Sequence, residues 1–247
     1  MTVLYFTATG NSLYVAKQLG TKLLSIPHCI KTNMYTIEDD AVGIIAPVYG
    51  FALPKLVLNF LDKVHIEAKY KFLIGTYGSW ASNFLKHTKN KYSSIRFNYL
   101  NQVKMVDNFV IGYDSQKQIK NAYKKHIDDA INMVKQDINA RKTKTKFHFK
   151  LSAPFAFLIR SIAKNCGIRG IYVDANKCTK CGICTKVCPS GNITLQNQPT
   201  FANNCTNCLA CVHHCPQKAV HCKGEKNTNR FINEHVTVQE IIKANSE

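Results

Sequence analysis

Eight cysteines in the last third of the chain carry the strongest chemical signal. They fall in two runs: Cys178, Cys181, Cys184 and Cys188, then Cys205, Cys208, Cys211 and Cys215. Each run has the spacing C-x2-C-x2-C-x3-C and ends against a proline, Pro189 or Pro216. Thiolate sulfur is a soft ligand that suits iron–sulfur clusters. Two-residue gaps let three cysteines wrap successive corners of one 4Fe–4S cube. The fourth lies too far along to close the same cube, so it crosses to the other. The expected sets are Cys178, Cys181, Cys184 and Cys215 for one cluster, and Cys205, Cys208, Cys211 and Cys188 for the second. Gly182 and Ala210 leave room for backbone N–H groups to reach the sulfurs, which tunes the potential. Zinc competes, but structural zinc sites use paired C-x2-C units rather than runs of four. Disulfides compete less well, because no secretion signal accompanies the cysteines. Cys29, Cys166 and Cys222 fit no motif and read as ordinary small apolar residues. His213 and His214, inside the second run, read as solvent-facing loop residues.

A second group opens the chain. Thr7, Ala8, Thr9, Gly10, Asn11 and Ser12 follow an apolar run and precede a helical pattern. Short hydroxyl donors and backbone N–H groups at a helix start make an anion site. Neither G-x-x-x-x-G-K-[ST] nor G-x-G-x-x-G is present, which excludes a nucleoside triphosphate loop and a dinucleotide fingerprint. A loop without lysine suits a phosphate monoester that is held rather than transferred. Two further loops combine glycine with aromatic residues: Pro47, Val48, Tyr49, Gly50 and Phe51, and Thr76, Tyr77, Gly78, Ser79 and Trp80. Aromatic faces stack on planar ligands, but the same residues also serve as core, and Trp80 also suits the start of a following helix.

The loop at 7–12 resembles the FMN-phosphate loop of flavodoxins. In that family the flavin ring lies between loops placed like 47–54 and 76–81, at the carboxyl ends of parallel strands. The cysteine spacing is that of the bacterial two-cluster ferredoxin. The two parts in this order, with "VKMVDNFV" at 103–110 and "RFINEHVTVQEI" at 230–241, resemble a family of flavodoxin–ferredoxin fusion proteins found mainly in anaerobic bacteria and archaea. The resemblance implies a flavodoxin-like doubly wound parallel sheet followed by a small α+β two-cluster ferredoxin-like domain, with FMN and two 4Fe–4S clusters as cofactors. It implies electron transfer that links one-electron and two-electron partners. An FMN-dependent reductase acting directly on a quinone or nitro compound is the alternative. No catalytic His, Cys or Asp constellation stands beside the flavin loops, which favours a carrier.

The elements that must position these groups are legible as patterns. Apolar runs at 3–6, 41–46, 70–76 and 95–105 read as strands. Helical patterns fall at 12–24, 54–61, 80–89 and 117–139. Continuous apolar strands alternating with helices mean a parallel sheet covered on both faces. Residues 1–140 form this domain, 141–170 a basic linker with a helical stretch at 154–164, and 171–247 the cysteine domain with its tail. Within the last part Cys178 to Pro189 repeats as Cys205 to Pro216, and Ala175-Asn176 as Ala202-Asn203, so one structural unit is used twice.

The chain of 247 residues carries a formal charge of +18. Residues 141–170 hold 8 Lys/Arg and no Asp/Glu, and are the electrostatic feature. Their bland role is a solvated linker over the seam between domains. Docking of an acidic redox protein is the sharper expectation. Membrane-surface contact is less favoured, a homodimer is left open, and no nucleic-acid motif accompanies the charge. With no apolar run long enough to span a bilayer, the expected location is the cytoplasm.

Overall fold

The computed structural model describes residues 1–147 and 170–246. The expected helical stretch at 154–164, Cys166 and most of the basic linker lie outside the described residues.

Five parallel strands form the main sheet: β1 (Thr2–Tyr5), β2 (Lys22–Ser25), β4 (Ala41–Pro47), β6 (Tyr70–Tyr77) and β7 (Tyr99–Lys104), with β3 (Thr36–Glu38) and β5 (His65–Glu67) paired beside it. The spatial order β2-β1-β4-β6-β7 is that of a flavodoxin-like doubly wound sheet. Helices α1 (Asn11–Leu19), α2 (Ile26–Lys31), α3 (Lys55–Leu61), α4 (Phe84–Lys91), α5 (Ser115–Lys120) and α6 (Ile127–Asn139) accompany the strands. Two apolar cores sandwich the sheet, one holding Val3, Ile45, Phe72 and α6, the other Phe6, Ile44, Phe60 and Leu73. Among the described residues no helix is long and apolar enough to cross a membrane.

Gly43 is matched with Phe72 across β4 and β6, and a Cβ there would overlap the Phe72 ring. Replacing Gly43 by Ala is therefore expected to cost about 3 kcal/mol through overpacking, measured by denaturant unfolding.

Several boundaries differ from the sequence patterns. The helix expected over 12–24 ends at Leu19, because Gly20 turns extended, and Leu23 and Leu24 enter β2 instead. Pro54 caps α3 from outside it. The helix expected from Trp80 begins only at Phe84. Residues 95–98 are not strand: a 3₁₀ turn at Ser93–Ile95 closes with Arg96 at φ 53°, and β7 starts at Tyr99. The single helix expected over 117–139 is broken: α5 ends at Lys120, a 3₁₀ turn covers Ala122–Lys125, and His126 takes φ 47° ahead of α6.

The cysteine-bearing part holds two short helices, Ile183–Lys186 and Ala210–His213, and two antiparallel strand pairs, Ile171–Val173 with Val220–Cys222 and Ile193–Leu195 with Pro199–Phe201. The sequence repeat extends to the backbone. Ile183 and Ala210 start equivalent helices, and Ile193 and Val220 equivalent strands, 27 residues apart. Lys180 and Asn207 match at φ 58° and 56°, and Gly182 and Leu209 at 74° and 61°. The C-terminal helix Val238–Ser246 returns to the sheet domain, where Val236, Ile241 and Ala244 join its core. Ser25 Oγ donates to the Ala244 carbonyl, and Lys31 Nζ to that of Asn245 at 2.8 Å.

Candidate functional site

Two cavities lie in the cysteine-bearing part. One is lined by Cys178, Cys181, Cys184 and Cys215. The other is lined by Cys188, Cys205, Cys208 and Cys211. Each thus gathers three cysteines of one run and the last of the other. The backbone N–H of Asn192 donates to Cys188 Sγ at 3.3 Å and that of Ala219 to Cys215 Sγ at 3.2 Å. These two bonds occupy equivalent places in the repeat. Burial pushes the Cys184 thiol up to about 11, with the charges of Cys181, Cys215 and Cys178 adding to it. Burial likewise raises Cys208 to about 11 and Cys211 well above its ordinary value. Four cysteines around each cavity supply the donor set of an iron–sulfur cluster, whose iron binds the deprotonated form.

The two cavities are not alike. Cys181 is exposed, whereas its repeat partner Cys208 packs against both cores of the sheet domain. Cys208 thus marks an inner cavity and Cys181 an outer one, although Cys205, which lines the inner cavity, is exposed as well.

The loop at 7–12 lies at the carboxyl end of β1, where Gly10 at φ 101° starts α1 and no side chain caps the helix. Thr7, Thr9 and Ser12 are each 1% exposed. Thr7 Oγ1 accepts from the Gly10 N–H at 3.1 Å and Thr9 Oγ1 from Asn108 Nδ2 at 2.6 Å. Both hydroxyls act as acceptors there, so each keeps its proton to donate. Ser12 Oγ meets Thr76 Oγ1 at 2.8 Å, and Asn11 Nδ2 donates to the Val106 carbonyl at 2.9 Å. An uncapped helix start with spare hydroxyl donors fits the phosphate end of FMN. A roof comes from the C-terminal stretch. The Asn233 N–H donates to the Thr9 carbonyl at 2.8 Å, Asn233 Nδ2 to Asn11 Oδ1 at 3.1 Å, and the Asn233 and Val236 side chains cover Gly10.

The other two expected loops stand side by side at the ends of β4 and β6. The Val48 N–H donates to the Thr76 carbonyl at 2.8 Å. Tyr49 and Ala52 exchange two backbone hydrogen bonds around Gly50 and Phe51, at φ 52° and 67°, the mark of a type I′ turn. Phe51 is buried and meets Trp80 edge to face at 5.0 Å between ring centroids. Trp80 does not pack inward: it is 48% exposed and lies ahead of α4. Tyr77 is part-buried, Pro47 closes β4, and the Ser79 hydroxyl donates to Asp107 Oδ2 at 2.8 Å beside Gly78.

His213 and His214 correct the sequence reading, for both are buried. His213 Nδ1 accepts from the Phe231 N–H at 3.0 Å, which leaves Nε2–H to donate to the Asn108 carbonyl at 2.8 Å. His214 Nε2 reaches the carbonyl of Ala8 in the phosphate loop at 2.9 Å. Burial lowers the His213 pKa to about 4, so its ring is neutral. In the repeat His214 stands where Val187 stands, and Val187 is fully buried. That equivalence was the available signal, along with the 103–110 and 230–241 stretches that supply Asn108 and Asn233. Replacing His213 by Ala strands the Phe231 N–H and the Asn108 carbonyl. The expected loss is about 2–3 kcal/mol for buried groups left unpaired, read from chemical denaturation of the whole chain.

A flavodoxin-like domain thus carries a cysteine-rich α+β unit on its loops. Residues 170–216, which include all eight cysteines of the two runs, match the family model described as the 4Fe-4S dicluster domain. Together the two parts fit a flavodoxin–ferredoxin fusion. The protein NrdI of Bartonella quintana (strain Toulouse) is 31% identical over 87 residues, 33% of this chain; the chain spans 61% of that relative's length. Among solved structures, rubredoxin oxygen:oxidoreductase from the anaerobe Desulfovibrio gigas is 16% identical with a TM-score of 0.35, over 53% of this chain and 36% of that one. A putative flavoprotein from Bacteroides uniformis ATCC 8492 is 16% identical with a TM-score of 0.31, over 49% of this chain and 96% of that one. At such scores the fold rests on this chain's own strand order.

Proposed function

We propose that the chain is an electron-transfer iron–sulfur flavoprotein that links one-electron and two-electron redox partners through two 4Fe–4S clusters and FMN. One observation carries this reading: Cys208 lines the inner cysteine cavity and also packs against the core that supports the Tyr49 loop. The cysteine cavity and the proposed flavin loops therefore border one core within one chain. In this reading Cys178, Cys181, Cys184 and Cys215 hold the outer cluster, and Cys188, Cys205, Cys208 and Cys211 the inner one. Residues 7–12 hold the FMN phosphate, and the turns at 47–51 and 76–80 flank its ring. Bound there, the flavin accepts one or two electrons, whereas a cluster exchanges one at a time. The protein contributes fixed geometry: His213 and His214 tie the helix that follows Cys208 to Asn108 and to Ala8 of the phosphate loop. The basic segment between the two domains supports an acidic protein partner on charge alone.

Anaerobic purification followed by iron, sulfide and flavin analysis tests the reading. About eight iron per chain is expected for two cubane clusters, together with stoichiometric FMN. Iron without flavin would reduce the protein to a cluster carrier, and zinc in place of iron would overturn the cluster assignment.

A further inference from the structure

The two halves of the cysteine repeat share a backbone but not a charge. Lys177, Lys180 and Lys218 stand where the other half has Asn204, Asn207 and Gly191. All three lysines are exposed and surround the outer cavity. Lys180 lines it, Lys177 adjoins Cys178, and Lys218 adjoins the lining residue Gln217. Residues 170–224 hold five lysines and one acidic residue, Asp174. Lys177 pairs with Asp174 at 3.0 Å, whereas Lys180 and Lys218 make no ion pair among the described residues.

Lys180 and Lys218 also sit where a lysine is costly. Their φ angles of 58° and 49° lie in the left-handed region, which disfavours a Cβ. The equivalent places, at φ 56° and 60°, hold Asn207 and Gly191, the residue types that region favours. The turns correspond: the Lys218 N–H donates to the Cys215 carbonyl at 3.0 Å and the Gly191 N–H to the Cys188 carbonyl at 3.3 Å. A merely solvated face gives no reason for two lysines in such positions, and backbone strain collects at functional sites.

We propose that the lysine rim of the outer cavity is the docking surface for an acidic redox protein, which exchanges one electron with the chain there. This rests on the reading that Cys178, Cys181, Cys184 and Cys215 hold a cluster, and it gives the acidic partner a place. Exposure alone does not select this site, because Cys181 and Cys205 both reach the surface. Charge does, since the inner cavity has neutral residues at the same three positions. Fixed positive charge beside an electron-transfer group attracts a negative partner and orients it on encounter. The rim between the lysines is polar, with Thr179 and Gln217, which suits a transient protein contact better than insertion into lipid. The electron balance is one for one: the reduced centre of the chain loses one electron and the partner's metal gains it, or the reverse.

The test is anaerobic stopped-flow oxidation of the photoreduced holo-protein, with iron and flavin counted beforehand. The acceptors are oxidised plastocyanin, an acidic copper protein, and oxidised cytochrome c, a basic haem protein. Lys180→Asn combined with Lys218→Gly copies the inner half onto the outer rim. At low ionic strength this variant is expected to react with plastocyanin roughly three- to tenfold more slowly than wild type. The gap should close at about 1 M salt, and the reaction with cytochrome c should be no slower at any salt. Because the substitutions relieve left-handed lysines, the variant should keep its iron and unfold at no lower denaturant concentration. Lys120→Gln with Lys124→Gln, in the sheet domain, is the charge-matched control and should leave the plastocyanin rate nearly unchanged. An unchanged plastocyanin rate in the rim variant, an equal fall in the control, or a fall that persists at high salt overturns the proposal. Loss of iron from the rim variant also overturns it, because the lysines would then serve cluster assembly. So does binding to phosphatidylserine vesicles that the rim variant loses while its plastocyanin rate holds, which would make the rim a lipid contact. Wild-type protein without iron overturns the cluster reading itself and is recognised before any kinetics.

Discussion

Replacing Cys215 by serine is expected to remove the outer cluster, although Cys215 belongs to the second cysteine run. Its side chain lines the cavity of Cys178, Cys181 and Cys184. Iron should fall from about eight to about four per chain, one cubane of two. The EPR spectrum that remains should equal that of a Cys181→Ser protein and differ from that of Cys205→Ser. If each run instead held its own cluster, Cys215→Ser would match Cys205→Ser. Cys188→Ser is the mirror case and should match Cys205→Ser. The crossing also predicts a loss of stability beyond the local site. In the proposed arrangement each cluster would tie the two runs together, so emptying one would free both from a shared constraint.

The second large effect falls on Gly10. Its φ of 101° is disfavoured for any residue with a Cβ, and that Cβ would lie 2.8 Å from Asn233 Cβ and 3.0 Å from Val236 Cβ. Gly10→Ala must therefore strain the turn and push away the roof over the phosphate loop. Backbone strain of about 1–2 kcal/mol adds to overpacking of about 1–3 kcal/mol. The expected result is a lower denaturation midpoint and loss of flavin on gel filtration. Gly191→Ala is the control, because Gly191 also has positive φ, at 60°, but open space where the Cβ would sit. It should lose only about 1 kcal/mol, the cost of the backbone conformation, and keep its flavin.

How far the sequence revealed this structure depended on the range of the forces involved. Strands β4 and β6 were legible because both faces are buried, so their apolar residues run without a break. The repeat of 27 residues implied one structural unit used twice, and the helices, strands and positive-φ positions of the two halves do match. Local stops were harder to read. Leu23 and Leu24 continue the apolar stripe of α1, and only the extended Gly20 shows that the helix has ended. His126 interrupts an amphipathic pattern that continues on either side of it.

The contacts that join the two domains were not legible, because they link residues some 200 positions apart. His214 with Ala8, Asn233 with Thr9 and Ser25 with Ala244 are of this kind. Polarity alone suggests that a histidine pair in a loop faces solvent. Here the pair is buried because carbonyls of the sheet domain offer acceptors in the right places.

The central claim is that cluster and flavin exchange electrons inside one chain. Stopped-flow reduction of the anaerobic holo-protein tests it most directly, following the cluster and flavin bands together over a tenfold range of protein concentration. Flavin reduction that follows cluster reduction with one rate constant, independent of protein concentration, is the predicted result. A rate that rises in proportion to protein concentration, or clusters that reduce while the flavin stays oxidised, would contradict it.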